Sequence, residues 1–229
     1  LLTESNIQKA KANTLFGSGD YSSAIQGYLK ALSTCPAYFE YDVAVLHGNI
    51  AACHLKLLDW KAAISAATEA LEALDRLNPP AKDQKPGEEV DARVEEVDEG
   101  TAVKIDALVR SGRSRGDIQK IRAKALLRRS KARQEIGGWA ALQGSAEDYR
   151  QLAAMPNLSL LDQKAVQDAL RILPPQLEEA KQKEMGEMMG KLKQLGNGIL
   201  KPFGLSTDNF NFVKDEAGGG YSMQFNQSA

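Results

Sequence analysis

Five side chains share one chemistry. Lys9 and Asn13 stand four residues apart, Asn49 follows alone, and Lys124 and Arg128 again stand four apart. On a helix, an i, i+4 pair projects from a single face. Two ammonium groups and a guanidinium offer charge-assisted hydrogen bonds, and two amides offer further donors. No carboxylate belongs to the set. Such a donor-only group suits a C-terminal Asp, whose main-chain and side-chain carboxylates are held together. No catalytic pattern competes with it. Gly218-Gly219-Gly220 lacks the following Lys-Ser or Lys-Thr of a phosphate loop. No nucleophile elbow is present either. His47 and His54 lie seven apart and share a helical face, but a zinc site needs about four ligands. Cys35 and Cys53 are expected as small packing residues in a reducing compartment. The expectation is a binding protein, not an enzyme, with no cofactor.

The five residues need a scaffold that sets three helices side by side. From 9 to 36 the chain reads KAKANTLFGSGDYSSAIQGYLKALSTCP. Small residues at Ala12, Ala24 and Ala31 let two antiparallel helices approach, Gly19-Asp20 turns between them, and Pro36 stops the second. This is the pattern of the tetratricopeptide repeat, whose period is about 34 residues. A second unit carries Asn49, Ala51, Trp60, Ala63, Ala67 and Ala70, with Pro79 after it. A third, looser unit turns at Gly137-Gly138-Trp139, packs through Tyr149 and Leu152, and ends at Pro156. The repeats fall at about 3–36, 43–79 and 117–156, within a domain spanning 1–156. Three units are the minimum for a stacked array, in which first helices line the concave surface. Lys9 and Asn13, Asn49, and Lys124 and Arg128 fall on those first helices.

An insertion at about 80–116 separates the second and third units. Its ends are turn-rich, and Val90, Val94, Val97, Val103 and Leu108 give weak helical spacings. It spells Glu88-Glu89-Val90-Asp91 and then Glu95-Glu96-Val97-Asp98. Residues 157–200 are expected as C-terminal helices capping the array. One spans about 162–172. After Pro174-Pro175 a long helix runs from 176 to about 200, with Met188, Leu192, Leu195 and Ile199 along one stripe. In the tail, 201–229, Phe210 and Phe212 alternate with polar residues, as do Tyr221, Met223 and Phe225. A charged, glycine-rich stretch lies between the two runs, which is a β-hairpin pattern. The fold class is therefore all-α: a helical-hairpin solenoid of three repeats, a long capping helix and a short hairpin tail.

The 229 residues are 43% hydrophobic and carry a net charge of −1, an ordinary globular balance. No stretch approaches the roughly 20 apolar residues of a membrane span. The basic run from 110 to 133 lacks the interleaved aromatics that stack bases, so neither membrane nor nucleic acid is expected as a partner. The chain opens Leu1-Leu2 without Met, as a fragment does.

At Lys9, Asn13, Asn49, Lys124 and Arg128 the sequence resembles the carboxylate-clamp domains of chaperone cofactors. Beyond the repeats, MGKLKQLGNGILKPFGLSTDNFNFVKDEAGGGYSMQF resembles the tetratricopeptide repeat protein 1 family. The resemblance covers the repeats, the capping helix and the tail. It implies a cytosolic, non-enzymatic adaptor. Its five donors would hold the terminal Asp of heat-shock protein 70 or heat-shock protein 90, whose tails end Glu-Glu-Val-Asp. It also implies GTPase-type partners. A scaffold gripping a folded client through the C-terminal helix and tail is the alternative, and it is compatible with the clamp.

Overall fold

The first turn shows how the helices are cut. Gly19 adopts φ +86°, and Asp20 then caps the next helix by accepting from the Ser23 amide at 3.1 Å. The Ser23 hydroxyl, together with that amide bond, holds the Asp20 carboxyl below its ordinary range. The result is a helical hairpin of α1 (Leu2–Gly17) and α2 (Tyr21–Thr34). The computed structural model describes residues 1–77, 112–156, 158–203 and 205–207, together with the backbone of two strands at 210–214 and 221–225. Of the expected insertion, residues 80–111 lie outside the described residues, and with them both Glu-Glu-Val-Asp copies.

Two further hairpins follow the first. One joins α3 (Glu40–Lys56) to α4 (Trp60–Leu77). The other joins α5 (Arg115–Ile136) to α6 (Trp139–Ala153). α5 begins with a complete capping box between Ser114 and Asp117. Gly137 and Gly138, at φ +68° and +79°, make the turn into α6. Successive hairpins pack α2 on α3 and α4 on α5, while α3 also meets α5. The fold is an all-α helical solenoid of tetratricopeptide-repeat type.

Small residues set the helix spacing, as expected. Ala12, Ala24 and Ala31 are fully buried, with Tyr28 and Leu46 beside them. At Gly27 a Cβ would come within 2.9 Å of the Ala12 Cβ, so α1 and α2 touch where neither carries bulk. α4 buries Ala63, Ala66, Ala67, Ala70 and Ala73 along one side. Cys53 is buried and Cys35 half-buried, both free thiols.

One element departs from the expected pattern. The helices at about 162–172 and 176–200 are a single helix, α7 (Leu160–Leu200), with Pro174 and Pro175 inside it. The prolines remove the amides that would reach the carbonyls of Leu170 and Arg171, but their fixed φ is compatible with helix. The strong helix formers from Gln176 to Lys181 carry it on.

The chain forms two compact units, Leu1–Leu177 and Glu178–Ala229, divided just past the proline pair. In the first, Val166, Ala169 and Leu173 form the buried side of α7. In the second, Met188, Leu192, Leu195 and Ile199 are each more than half exposed. There Asn197 Oδ1 accepts from the Thr207 amide at 2.6 Å and the Thr207 hydroxyl at 2.8 Å, folding the chain back after a short 3₁₀ turn at Lys201–Phe203. Strand β1 (Phe210–Lys214) then pairs antiparallel with β2 (Tyr221–Phe225), Phe210 opposite Phe225 and Phe212 opposite Met223.

Candidate functional site

α1, α3 and α5 are the first helices of the three hairpins, and they carry all five candidate residues. Asn13, Asn49 and Arg128 line one cavity of about 200 Å³, together with Phe16, Tyr28 and Ala52. Asn13 is exposed, while Asn49 and Arg128 are half-buried. One donor from each hairpin thus reaches the same space.

Two contacts orient these donors. The Tyr28 hydroxyl donates to Asn13 Oδ1 at 2.7 Å. With its oxygen engaged, Asn13 presents its NH₂ to whatever enters the cavity. Burial pushes the Tyr28 phenol up to about 12, with Cys53 raising it further and Arg128 opposing. The phenol therefore remains a donor at neutral pH. Arg128 Nη1 donates to the Gly48 carbonyl at 2.8 Å, tying α5 to α3. Gly48 permits that approach, since a Cβ there would stand 3.2 Å from Nη1. Burial lowers the Arg128 pKa, but a guanidinium stays charged throughout the physiological range. With one of five N–H donors on Gly48, four remain.

Lys9 and Lys124 do not line this cavity. Each sits one turn N-terminal to its partner, Asn13 or Arg128. The Lys9 Nζ lies 3.6 Å from Asp42 Oδ1 on α3. Lys124 is exposed and borders a larger cavity of about 470 Å³, walled by Ala123, Met155, Pro156 and Leu158, with Lys120 also on its lining. The donor set thus has a carboxylate neighbour, Asp42, that i, i+4 spacing could not reveal. Neither Tyr28 nor Gly48 was among the residues expected at the site. Their roles rest on contacts 15 and 80 residues apart in sequence.

The remaining basic residues of α5 are largely engaged within the fold. Arg122 pairs with Asp75 at 2.6 Å. Arg129 and Arg133 both bind the buried Asp148, at 2.7 and 2.8 Å. Just before the helix, Arg113 lies 4.9 Å over the Tyr41 ring. The histidines each face a carboxylate: His47 Nδ1 is 2.7 Å from Glu69 and His54 Nδ1 is 3.5 Å from Asp59. Among the described residues no cluster of three or more metal-binding side chains occurs, and no helix is long and apolar enough to cross a membrane.

No known protein-family profile matches the chain. It is 36% identical over 78 residues to the mitochondrial import receptor subunit TOM70 of Homo sapiens, and equally to that of Mus musculus. That stretch is 34% of this chain and 12% of each relative. Over 67 residues it is 36% identical to sperm-associated antigen 1 of Mus musculus, covering 29% of this chain and 7% of that one. The chain thus spans about an eighth of the length of the first two relatives and less of the third.

Proposed function

We propose that this chain is a cytoplasmic, non-enzymatic adaptor of the tetratricopeptide repeat protein 1 family. Its groove holds the C-terminal carboxylate of a chaperone tail ending Glu-Glu-Val-Asp, that of heat-shock protein 70 or heat-shock protein 90. The observation that carries this reading is the convergence of Asn13, Asn49 and Arg128, from three hairpins, on one small cavity. A half-buried guanidinium with free N–H groups, flanked by two amides, is a receptor for a carboxylate. A terminal Asp supplies two, so Arg128 with Asn49 and Asn13 with its free NH₂ engage separate groups. Lys9, one turn away on α1, adds a further donor for the terminal carboxylate, while Lys124 on α5 adds positive charge at the rim and favours the acidic residues upstream. The likeness to a protein that is a receptor by name supports binding over catalysis.

Calorimetry with a Glu-Glu-Val-Asp octapeptide tests this. The free acid is expected to bind in the micromolar class, about −8 kcal/mol, and the amidated peptide far more weakly. Arg128→Ala is expected to cost roughly 2–5 kcal/mol of binding. Equal affinity for acid and amide refutes the reading, because amidation removes the group the site reads.

The exposed stripe of Met188, Leu192, Leu195 and Ile199 favours a second, compatible role. In that role the C-terminal unit grips a folded client such as a GTPase. Truncation after residue 200 is then expected to leave peptide binding intact while removing client capture.

A further inference from the structure

We propose that Asp42 is a built-in competitor for Lys9, an affinity-setting residue that holds the Lys9 ammonium away from the Asn13–Asn49–Arg128 cavity until a ligand carboxylate takes it over. The proposal rests on the carboxylate-binding reading of that cavity and names a residue that reading does not contain.

Three observations carry it. First, Lys9 is the α1 donor one turn from Asn13, yet it does not line the cavity. Its Nζ is instead 3.6 Å from Asp42 Oδ1, across the α1–α3 junction. Second, the separation is that of an ion pair without a short hydrogen bond, since charge-assisted N–H···O contacts close to about 2.7–2.9 Å. An ammonium held this way keeps its three donors and can turn on its flexible stem. A contact built to fix Lys9 in place would be shorter. Third, the Asp42 side chain is only 9% exposed, so solvent and salt screen the pair little. Asp42 also lies in the first turn of α3, where the helix N-terminus favours an anion. It therefore keeps a favourable environment when Lys9 leaves, which is what an exchange of partners requires.

The consequence is a site whose resting charge is lower than its sequence implies. The terminal carboxylate of an acidic peptide meets Asn13, Asn49 and Arg128 first. It gains Lys9 only against the pull of Asp42. Asp42 thereby weakens carboxylate binding without touching the ligand.

Calorimetry on the full chain and on the Asp42→Asn, Lys9→Met and doubly substituted proteins tests this with the same octapeptide as free acid and amide. Asn preserves the shape of Asp42, and Met preserves the apolar stem of Lys9. Asp42→Ser gives a second neutral side chain if the Asn variant loses helicity by circular dichroism. Asp42→Asn is expected to tighten free-acid binding about fivefold, the scale of one partly exposed ion pair, and to leave amide binding unchanged. In the Lys9→Met background it is expected to change neither. Weaker or unchanged free-acid binding on Asp42→Asn overturns the proposal. Equal tightening without Lys9 does so too, because it reveals simple charge repulsion. Should the wild type bind acid and amide alike, the reading of the cavity itself fails, a result distinct from both of these.

Discussion

Replacing Asp148 tests whether the third hairpin is held by a buried charge cluster. Its side chain is 1% exposed. It accepts from Arg129 Nη2 at 2.7 Å and Nε at 3.1 Å, and from Arg133 Nη1 at 2.8 Å. Asp148→Ala leaves two guanidiniums without their carboxylate. Removing one member of a buried ionic group typically costs about 3–5 kcal/mol. Each arginine keeps a second acceptor, Thr68 Oγ1 at 3.2 Å for Arg129 and the Gly144 carbonyl at 2.9 Å for Arg133. The lower end, about 3 kcal/mol, is therefore expected. Asp148→Asn still offers one oxygen and is expected to cost about 1–2 kcal/mol. Urea is the suitable denaturant because it does not screen charge. With a slope of about 1–3 kcal/mol per molar, the Ala variant's midpoint falls by roughly 1–3 M. The decisive control replaces the whole cluster: Arg129→Met, Arg133→Met and Asp148→Leu together are expected to recover most of the loss, since a well-packed apolar set often equals a buried ionic one. A cost below about 1 kcal/mol for Asp148→Ala, or a triple variant no better than the single one, refutes the reasoning.

Two further outcomes follow from packing and burial. Gly27→Ala places a Cβ 2.9 Å from that of Ala12. An overpacking cost of about 2 kcal/mol outweighs a helix-propensity gain of about 1, so urea unfolding should show net destabilisation, and adding Ala12→Gly should reverse it. Burial pushes the His47 imidazole below its ordinary pKa, against the opposing pull of Glu69. As pH falls through about 6.5, the unfolded chain takes up the proton first, so stability is full above that value and is lost as pH drops through the lower folded pKa. The urea midpoint should fall from pH 7.5 to 5.5, and less steeply in His47→Gln; identical slopes would exclude His47 as the cause.

What the sequence made legible was local or periodic. Gly19-Asp20 announced a turn because one residue tolerates positive φ and the next caps. Ala12, Ala24 and Ala31 announced close helices because their spacing returns to one face. The same arithmetic brought Asn13, Asn49 and Arg128 to one cavity, since repeat stacking turns sequence offset into alignment. What stayed hidden was pairwise and distant. Nothing near Lys9 in sequence points to Asp42, 33 residues on. The run of positive charge on α5 gave no sign of its partners, because Asp75 and Asp148, which take up three of its arginines, lie on α4 and α6. Pro174-Pro175 was misleading for another reason. A proline pair is a strong stop by rule, yet what it removes is two amide donors, and a flanking run of good helix formers outlasts that loss.

The site is also a joint of the fold. Arg128 belongs to α5, its acceptor Gly48 to α3, and the Tyr28–Asn13 bond joins α2 to α1. Asn13 and Arg128, which line the cavity, thus also fix the helices that carry them. This coupling has a direction. A peptide that binds only when the three hairpins are in register stabilises that register by mass action, by about 2.7 kcal/mol at a hundredfold excess over Kd. Conversely, a substitution that loosens α3 from α5 should weaken peptide binding without touching the peptide. Gly48 is where the two effects separate. A methyl group there would stand 3.2 Å from Arg128 Nη1, so the guanidinium would have to give by a few tenths of an ångström while α3 gains helix propensity. Its proper description is therefore a residue kept small for the arginine's reach, with stability given up in α3 so that Arg128 can both tie the hairpins and face the cavity.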